Sequence, residues 1–152
     1  MTIRPAGSLD VSAVLQLVTD ILRAEFPQDQ AAYPAEDLRR LTETYREPES
    51  LFLVAEEKGK ILGTCGVKAE DGKTAILRRL FVDPSSRGKG VGFGLLQEAL
   101  SFCRKQGFQE VVIRTSTRME QAIRLCSSLG FQEDGTWTMD EVTLVRFRLK
   151  LQ

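Results

Sequence analysis

Six residues, Arg87-Gly88-Lys89-Gly90-Val91-Gly92, concentrate the chemistry available to this sequence. Three glycines and two cations lie where an apolar run ending at Val82-Asp83-Pro84 gives way to an amphipathic run beginning near Phe93. At such a strand-to-helix junction the first helical N–H groups have no intrahelical acceptor and point forward. Glycine lets that backbone come close to a ligand, and the helix dipole favours an anion there. The segment reads as a cradle for a phosphate or pyrophosphate, with Arg87 and Lys89 as supporting cations. Missing residue types narrow the chemistry further. The chain has no histidine, which excludes Ser–His and Cys–His catalysis and removes the commonest metal ligand. Its three cysteines, Cys65, Cys103 and Cys126, are odd in number and lack CxxC spacing, against a disulfide framework and a thiolate zinc site. Cys65 and Cys103 read as small buried or half-buried thiols in a reducing cytoplasm, and no metal is expected. Acid–base work falls to carboxylates, tyrosine, cysteine, lysine, water or the substrate itself.

Positioning such a cradle requires a strand before it, a helix after it and a core beneath both. Ile3 and Arg4 suit a short opening strand, and Asp10 suits the N-cap of a helix bearing Val11, Val14, Leu15, Val18, Ile21 and Leu22. Pro34 opens a second helix with Leu38, Leu41 and Tyr45 on one face. The period then changes to two. Leu51 to Glu56 and Ile61 to Lys68 form a hairpin, and Asp71-Gly72 turns the chain into a third strand from Ala75 to Val82. After the glycines, Phe93, Leu95, Leu96, Ala99, Leu100 and Cys103 mark a helix that stops near Gly107. Phe108 to Thr115 reads as a strand buried on both faces, Met119 to Leu129 as a helix closed by Gly130, and two strands finish the chain.

The 152 residues, 42% hydrophobic and 28% charged, are enough for one globular domain spanning 1–152 with a full core. Lys plus Arg and Asp plus Glu both number 21, so no global basic field draws in nucleic acid. No apolar run approaches the ~20 residues that span a bilayer. The opening Met1-Thr2-Ile3-Arg4-Pro5 lacks a secretory pattern, so a cytoplasmic location is expected, without membrane or nucleic-acid partners.

Spacing separates the glycine segment from the common nucleotide motifs. A Walker A loop ending at Lys89 needs glycine at 83 and Ser or Thr at 90, and finds Asp83 and Gly90. Glycines at 88, 90, 92 and 94 alternate strictly and never form GxGxxG. The pattern present is R-x-x-G-x-G, from Arg87, Gly90 and Gly92. A second pattern follows at Ala122-Ile123-Arg124-Leu125 and Leu129-Gly130-Phe131. In this order, with Leu77 to Pro84 ahead, the chain closely resembles the GCN5-related N-acetyltransferase (GNAT) superfamily over essentially its whole length.

The resemblance implies an α/β fold: a mixed, mostly antiparallel seven-stranded sheet flanked by four helices, in the order β-α-α-β-β-β-α-β-α-β-β. It implies that Arg87, Gly88, Lys89, Gly90, Val91 and Gly92 hold the pyrophosphate of acetyl-CoA. The pantetheine arm would bond the backbone of Leu80, Phe81 and Val82, and the Phe81 N–H would polarise the acetyl carbonyl, with Val82 the other candidate donor. Side chains depart from the family. Ile76 stands where many relatives carry a glutamate base, Met119 where an asparagine is common, and Cys126 where a tyrosine protonates the leaving thiolate. A thiol (pKa about 8.5) is the stronger acid but the shorter group, so Cys126 is either the catalytic acid or a helix packing residue. Glu70, Asp71, Glu25 and Asp29 are the alternative bases, each also readable as a surface charge. The implied activity is acetyl transfer to a primary amine of a small molecule or peptide, by direct attack in a ternary complex. Phe26–Tyr33 and Asp134–Asp140 would shape the acceptor pocket, with Tyr33 or Trp137 lining it, and homodimerisation is common among relatives. Two alternatives stay open: a catalytically weak or inactive domain that binds acetyl-CoA as a sensor or partner module, and a phosphate loop for another nucleotide.

Overall fold

The computed structural model describes residues 1–46 and 48–151. Strands β1 (Thr2–Pro5), β2 (Leu51–Glu57), β3 (Lys60–Ala69), β4 (Thr74–Val82), β5 (Glu110–Ser116), β6 (Gln132–Met139) and β7 (Val142–Lys150) form one sheet in the order β1-β2-β3-β4-β5-β7-β6. All neighbours are antiparallel except β4 and β5. That parallel pair needs a crossover, which α4 (Val91–Lys105) supplies. The mostly antiparallel seven-stranded sheet matches the expected fold class.

Each face of the sheet buries a separate core. On one face α4 and α5 (Glu120–Ser128) set Leu95, Leu96, Ala99, Leu100, Cys103 and Cys126 against Leu77, Val111, Ile113 and Phe147. On the other, α1 (Val11–Glu25) sets Val14, Val18, Ile21 and Leu22 against Phe52, Val54 and Phe81. Fully buried leucines such as Leu95 and Leu96 each contribute on the order of 2 kcal/mol by leaving water. The helix α4 approaches β1 closely at Gly94, where a Cβ would stand 2.9 Å from Ile3 Cδ1.

Two local expectations change. The second helix is two single turns, α2 (Glu36–Arg39) and α3 (Leu41–Thr44), so among the described residues five α-helices flank the sheet instead of four. The chain leaves helical geometry at Arg40 (φ −111°, ψ 42°). Such short pieces have little helical stability of their own, and tertiary contacts of Asp37, Leu38, Leu41 and Tyr45 decide their path. Asp10 occupies the N-cap position of α1, yet its carboxylate accepts from Arg4 (2.8 and 2.9 Å) and from Gly7 N–H (2.7 Å). The guanidinium outcompetes the helix N–H groups for the carboxylate.

Candidate active site

The site begins where β4 and β5 part. Their parallel pairing runs from Thr74↔Glu110 to Leu77↔Ile113 and no further. Just beyond, β4 carries an extra residue against β3: Thr64 faces Phe81 but Gly66 faces Arg78, so Cys65 opposes both Arg79 and Leu80. Arg79 takes a left-handed φ of 57°. A bulge of this kind bends its strand and ends regular pairing, here opening a gap beside Leu80 to Val82.

Backbone direction in the gap follows from two hydrogen bonds. Asp83 N–H donates to Leu62 O (2.7 Å), so antiparallel alternation turns the Phe81 N–H and C=O toward Thr64 and those of Val82 into the gap. The Val82 carbonyl accepts from Arg87 Nε there (3.2 Å). Thr64 Oγ1 donates to the Arg79 carbonyl (2.6 Å), and the planar trans peptide then sends the Leu80 N–H the opposite way, into the gap. The expectation that Phe81 supplies a free N–H is corrected: its N–H belongs to the β3–β4 ladder. Leu80 and Val82 present the available ones.

A cleft of about 480 Å³ continues from this gap to the start of α4. Of the nine residues expected to hold a coenzyme, Leu80, Phe81, Val82, Arg87, Gly88, Gly90, Val91 and Gly92 line it, while Lys89 lies exposed outside it. Gly88 (φ 78°) and Gly90 (φ 84°) take conformations that disfavour other residues, and a Cβ on either would project into open space. Among the described residues no side chain caps α4, so the N–H groups of its first turn face the cleft without a protein acceptor. Gly92 is crowded instead: a Cβ there would stand 3.2 Å from Leu125 Cδ2 of α5, so that side chain would have to give way by a few tenths of an ångström. Arg87 is already engaged, giving Nη1 and Nη2 to the Glu25 carboxylate at 2.7 and 2.9 Å.

At the end of the cleft nearest the gap, the turn after α1 meets the end of β5. Asp29 is fully buried; its carboxylate accepts from Ser116 Oγ (2.8 Å) and from Arg118 Nη1 (2.6 Å). Ser116 N–H donates to Tyr33 Oη (3.0 Å). Arg118 lines the cleft with its remaining edge, beside Phe26 and Met119. The pairing of Asp29 with Arg118, 89 residues apart, carries no sequence signal, nor does the role of Thr64.

The remaining residues singled out in the sequence fall elsewhere. Cys126 does not line the cleft; it is fully buried in the core under α5, and burial pushes its thiol up to about 12. Ile76 lies in the paired part of β4, between Lys68 and Val112. Glu70 and Asp71 sit at the opposite end of β4, where Asp71 accepts from the Lys73 and Thr74 N–H groups. Trp137 of the edge strand β6 packs under Arg114 of β5, and Asp134 pairs with Arg148.

A model of the acetyltransferase (GNAT) family matches residues 15–131. Human N-acetyltransferase 8B is 38% identical over 105 residues, covering 65% of this chain and 46% of its own length. Rat N-acetyltransferase 8 is 35% identical over 124 residues, covering 73% and 55%. The chain thus spans about half the length of these curated relatives. An acetyltransferase of the GNAT family from Staphylococcus aureus Mu50 superimposes with a TM-score of 0.85 at 21% identity over 99% of both chains. The structure of yncA from Salmonella typhimurium, solved with its cofactor acetyl-CoA, gives 0.75 at 23% identity, over 100% of this chain and 94% of its own. At those identities the likeness is one of fold, and the family match supplies the rest: this chain belongs to the acetyltransferase (GNAT) family.

Proposed function

We propose that this chain transfers an acetyl group from acetyl-CoA to a primary amine of a small molecule or peptide. The observation that carries the reading is a single cleft joining two backbone features. The uncapped glycine start of α4 lies at one end, and the gap-facing N–H groups of Leu80 and Val82 lie at the other. The residues present fit the coenzyme: N–H groups and Gly88 and Gly90 for its phosphates, and strand edge for its amide-bearing arm.

When bound, acetyl-CoA supplies the acetyl thioester. Within this chain, Val82 is the nearer strand partner to the phosphate loop and Leu80 the farther, so Leu80 N–H is the donor aimed at the thioester carbonyl. Residues of the end of α1, the β5–α5 connection and α5 hold the acceptor against the gap, Phe26 and Arg118 among them. Positioning of this kind supplies much of the acceleration of a bimolecular transfer. Among the described residues, the carboxylates lining the cleft are Glu25 and Glu120, paired with Arg87 and Arg124, so the amine would react as its own free base. Its nitrogen would bond the acetyl carbon as the carbon–sulfur bond breaks, coenzyme A would leave as the thiolate, and the amine proton would pass to that thiolate or to water. Cys126 takes no part.

A second reading, a domain that binds acetyl-CoA without turning it over, draws support from Ile76 and from the burial of Cys126. Calorimetric titration with acetyl-CoA, followed by thiol-release assays over a panel of amines, separates the two. Binding with release supports transfer, and binding without release on any amine supports the second. No binding sinks both.

A further inference from the structure

We propose that Thr64 and Arg79 are positioning residues that together aim the Leu80 N–H into the gap. Polarisation of the thioester carbonyl then depends on a hydroxyl one strand away and on a carboxylate of α2. The proposal rests on the acetyl-transfer reading above.

Arg79 combines three features that each work against stability. Its left-handed φ of 57° costs a residue with a Cβ on the order of 1–2 kcal/mol. Its guanidinium is only 7% exposed, so a charge is taken from water. Its Nη1 is buried with no hydrogen-bond partner. Such a residue persists only where its surroundings over-determine it, and here they hold it from both sides.

On the backbone side, the fully buried Thr64 donates its hydroxyl to the Arg79 carbonyl at 2.6 Å. On the side-chain side, Asp37 accepts from Arg79 Nε (3.1 Å) and Nη2 (2.6 Å), while Nη2 also donates to the Pro34 carbonyl. Tyr45 Oη donates to the same Asp37 carboxylate at 2.8 Å, which fixes the acceptor of the Arg79 fork. With its carbonyl held toward β3 and its side chain held toward α2, the peptide joining Arg79 to Leu80 has one orientation. Its other end is the Leu80 N–H. A regular strand with an apolar residue at 79 would be the more stable solution, and it would pair Leu80 differently. What the costs secure is the direction of one donor.

The test is infrared difference spectroscopy of acetyl-CoA carrying a carbon-13 acetyl carbonyl, with dissociation constants measured in parallel. In the wild-type protein the bound carbonyl band shifts to lower frequency than in free acetyl-CoA. Thr64→Val moves the band back toward the free position while the Kd stays within about two-fold, because the phosphate loop is untouched, and Thr64→Ser restores the shift. Asp37→Asn, acting from the other side of Arg79, moves the band in the same direction and keeps the test decisive if Thr64→Val does not fold. A wild-type band position in both Thr64→Val and Asp37→Asn overturns the positioning role and leaves acetyl transfer standing. Failure of the wild-type protein to bind acetyl-CoA overturns both.

Discussion

Arg87 and Glu25 form a two-pronged pair, Nη1 to Oε1 at 2.7 Å and Nη2 to Oε2 at 2.9 Å, between the glycine loop and the last residue of α1. The same guanidinium donates Nε to the Val82 carbonyl at 3.2 Å. All three of its nitrogens are therefore committed to protein acceptors. An incoming phosphate meets a cation already neutralised, beside a carboxylate that repels it. Glu25→Gln relieves both effects. Expected is a coenzyme A Kd lower by about two- to ten-fold, the range of an exposed or half-exposed ion pair of about 0.5–1.5 kcal/mol. Isothermal titration at low and high salt checks it; weaker binding would mean that Glu25 holds Arg87 in its productive place.

Gly90 opens α4 with φ 84°, lines the cleft, and has open space where a Cβ would stand. In Gly90→Asp, a carboxylate occupies and repels the anion position. The backbone cost is modest, about 1 kcal/mol, since aspartate tolerates this conformation better than most residues. Coenzyme binding is expected to fall at least 100-fold while circular dichroism stays that of the wild type. Unchanged affinity would remove the glycine turn from the site.

Cys126 is packed in the core, its thiol raised to about 12 by burial. Cys126→Ala is expected to leave turnover within two-fold and to lower the unfolding free energy by about 1–2 kcal/mol, the cost of a small cavity. Urea titration and steady-state rates on one preparation separate these effects. A ten-fold fall in kcat at unchanged stability would restore the thiol as the acid.

The fold has its own acid dependence through Asp37. Burial alone would raise this carboxyl, but the Arg79 hydrogen bonds and charge outweigh it, leaving Asp37 below the ordinary carboxylate value of 3.8. A depressed folded pKa contributes stability that is complete above the unfolded value and is lost as pH falls through the folded one. Asp37→Asn is therefore expected to be less stable than wild type at pH 7, with the difference shrinking below about pH 4. Thermal melts from pH 7 to pH 2.5 measure the convergence.

With both carboxylates among the described residues of the cleft, Glu25 and Glu120, paired to arginines, kcat/KM is expected to follow the free-amine fraction of the acceptor. It should rise about ten-fold per pH unit until the amine's own pKa. Two acceptors of different basicity should show profiles displaced by their pKa difference. A shared inflection between pH 5 and 8 would point to a protein group instead.

The legibility of these features divides by range. The glycine turn is readable because its requirements are local: positive φ at 88 and 90, no cap, and a helix behind it. The gap beside β4 is expected only through family resemblance, since nothing in Leu77 to Val82 marks where pairing with β5 stops. The break at Arg40 is invisible because Leu38, Leu41 and Tyr45 keep helical spacing across it. Phe81 looks like a donor because a strand read in isolation does not reveal which N–H groups its neighbour consumes. Only the register with β3 settles that, and one extra residue at Arg79 shifts the parity.

Residue type and short spacing are enough to dictate the succession of strands, the glycine turn before α4 and, through the lack of any histidine, the exclusion of histidine chemistry. Which atoms face the reacting space is a matter for the folded chain. Leu80 N–H points there because Thr64, on another strand, holds the preceding carbonyl, and Arg118 reaches the cleft because Asp29 holds its other edge. Hydrogen bonds between residues 15 and 89 positions apart leave no periodic or compositional trace, because folding alone brings their partners within about 3 Å.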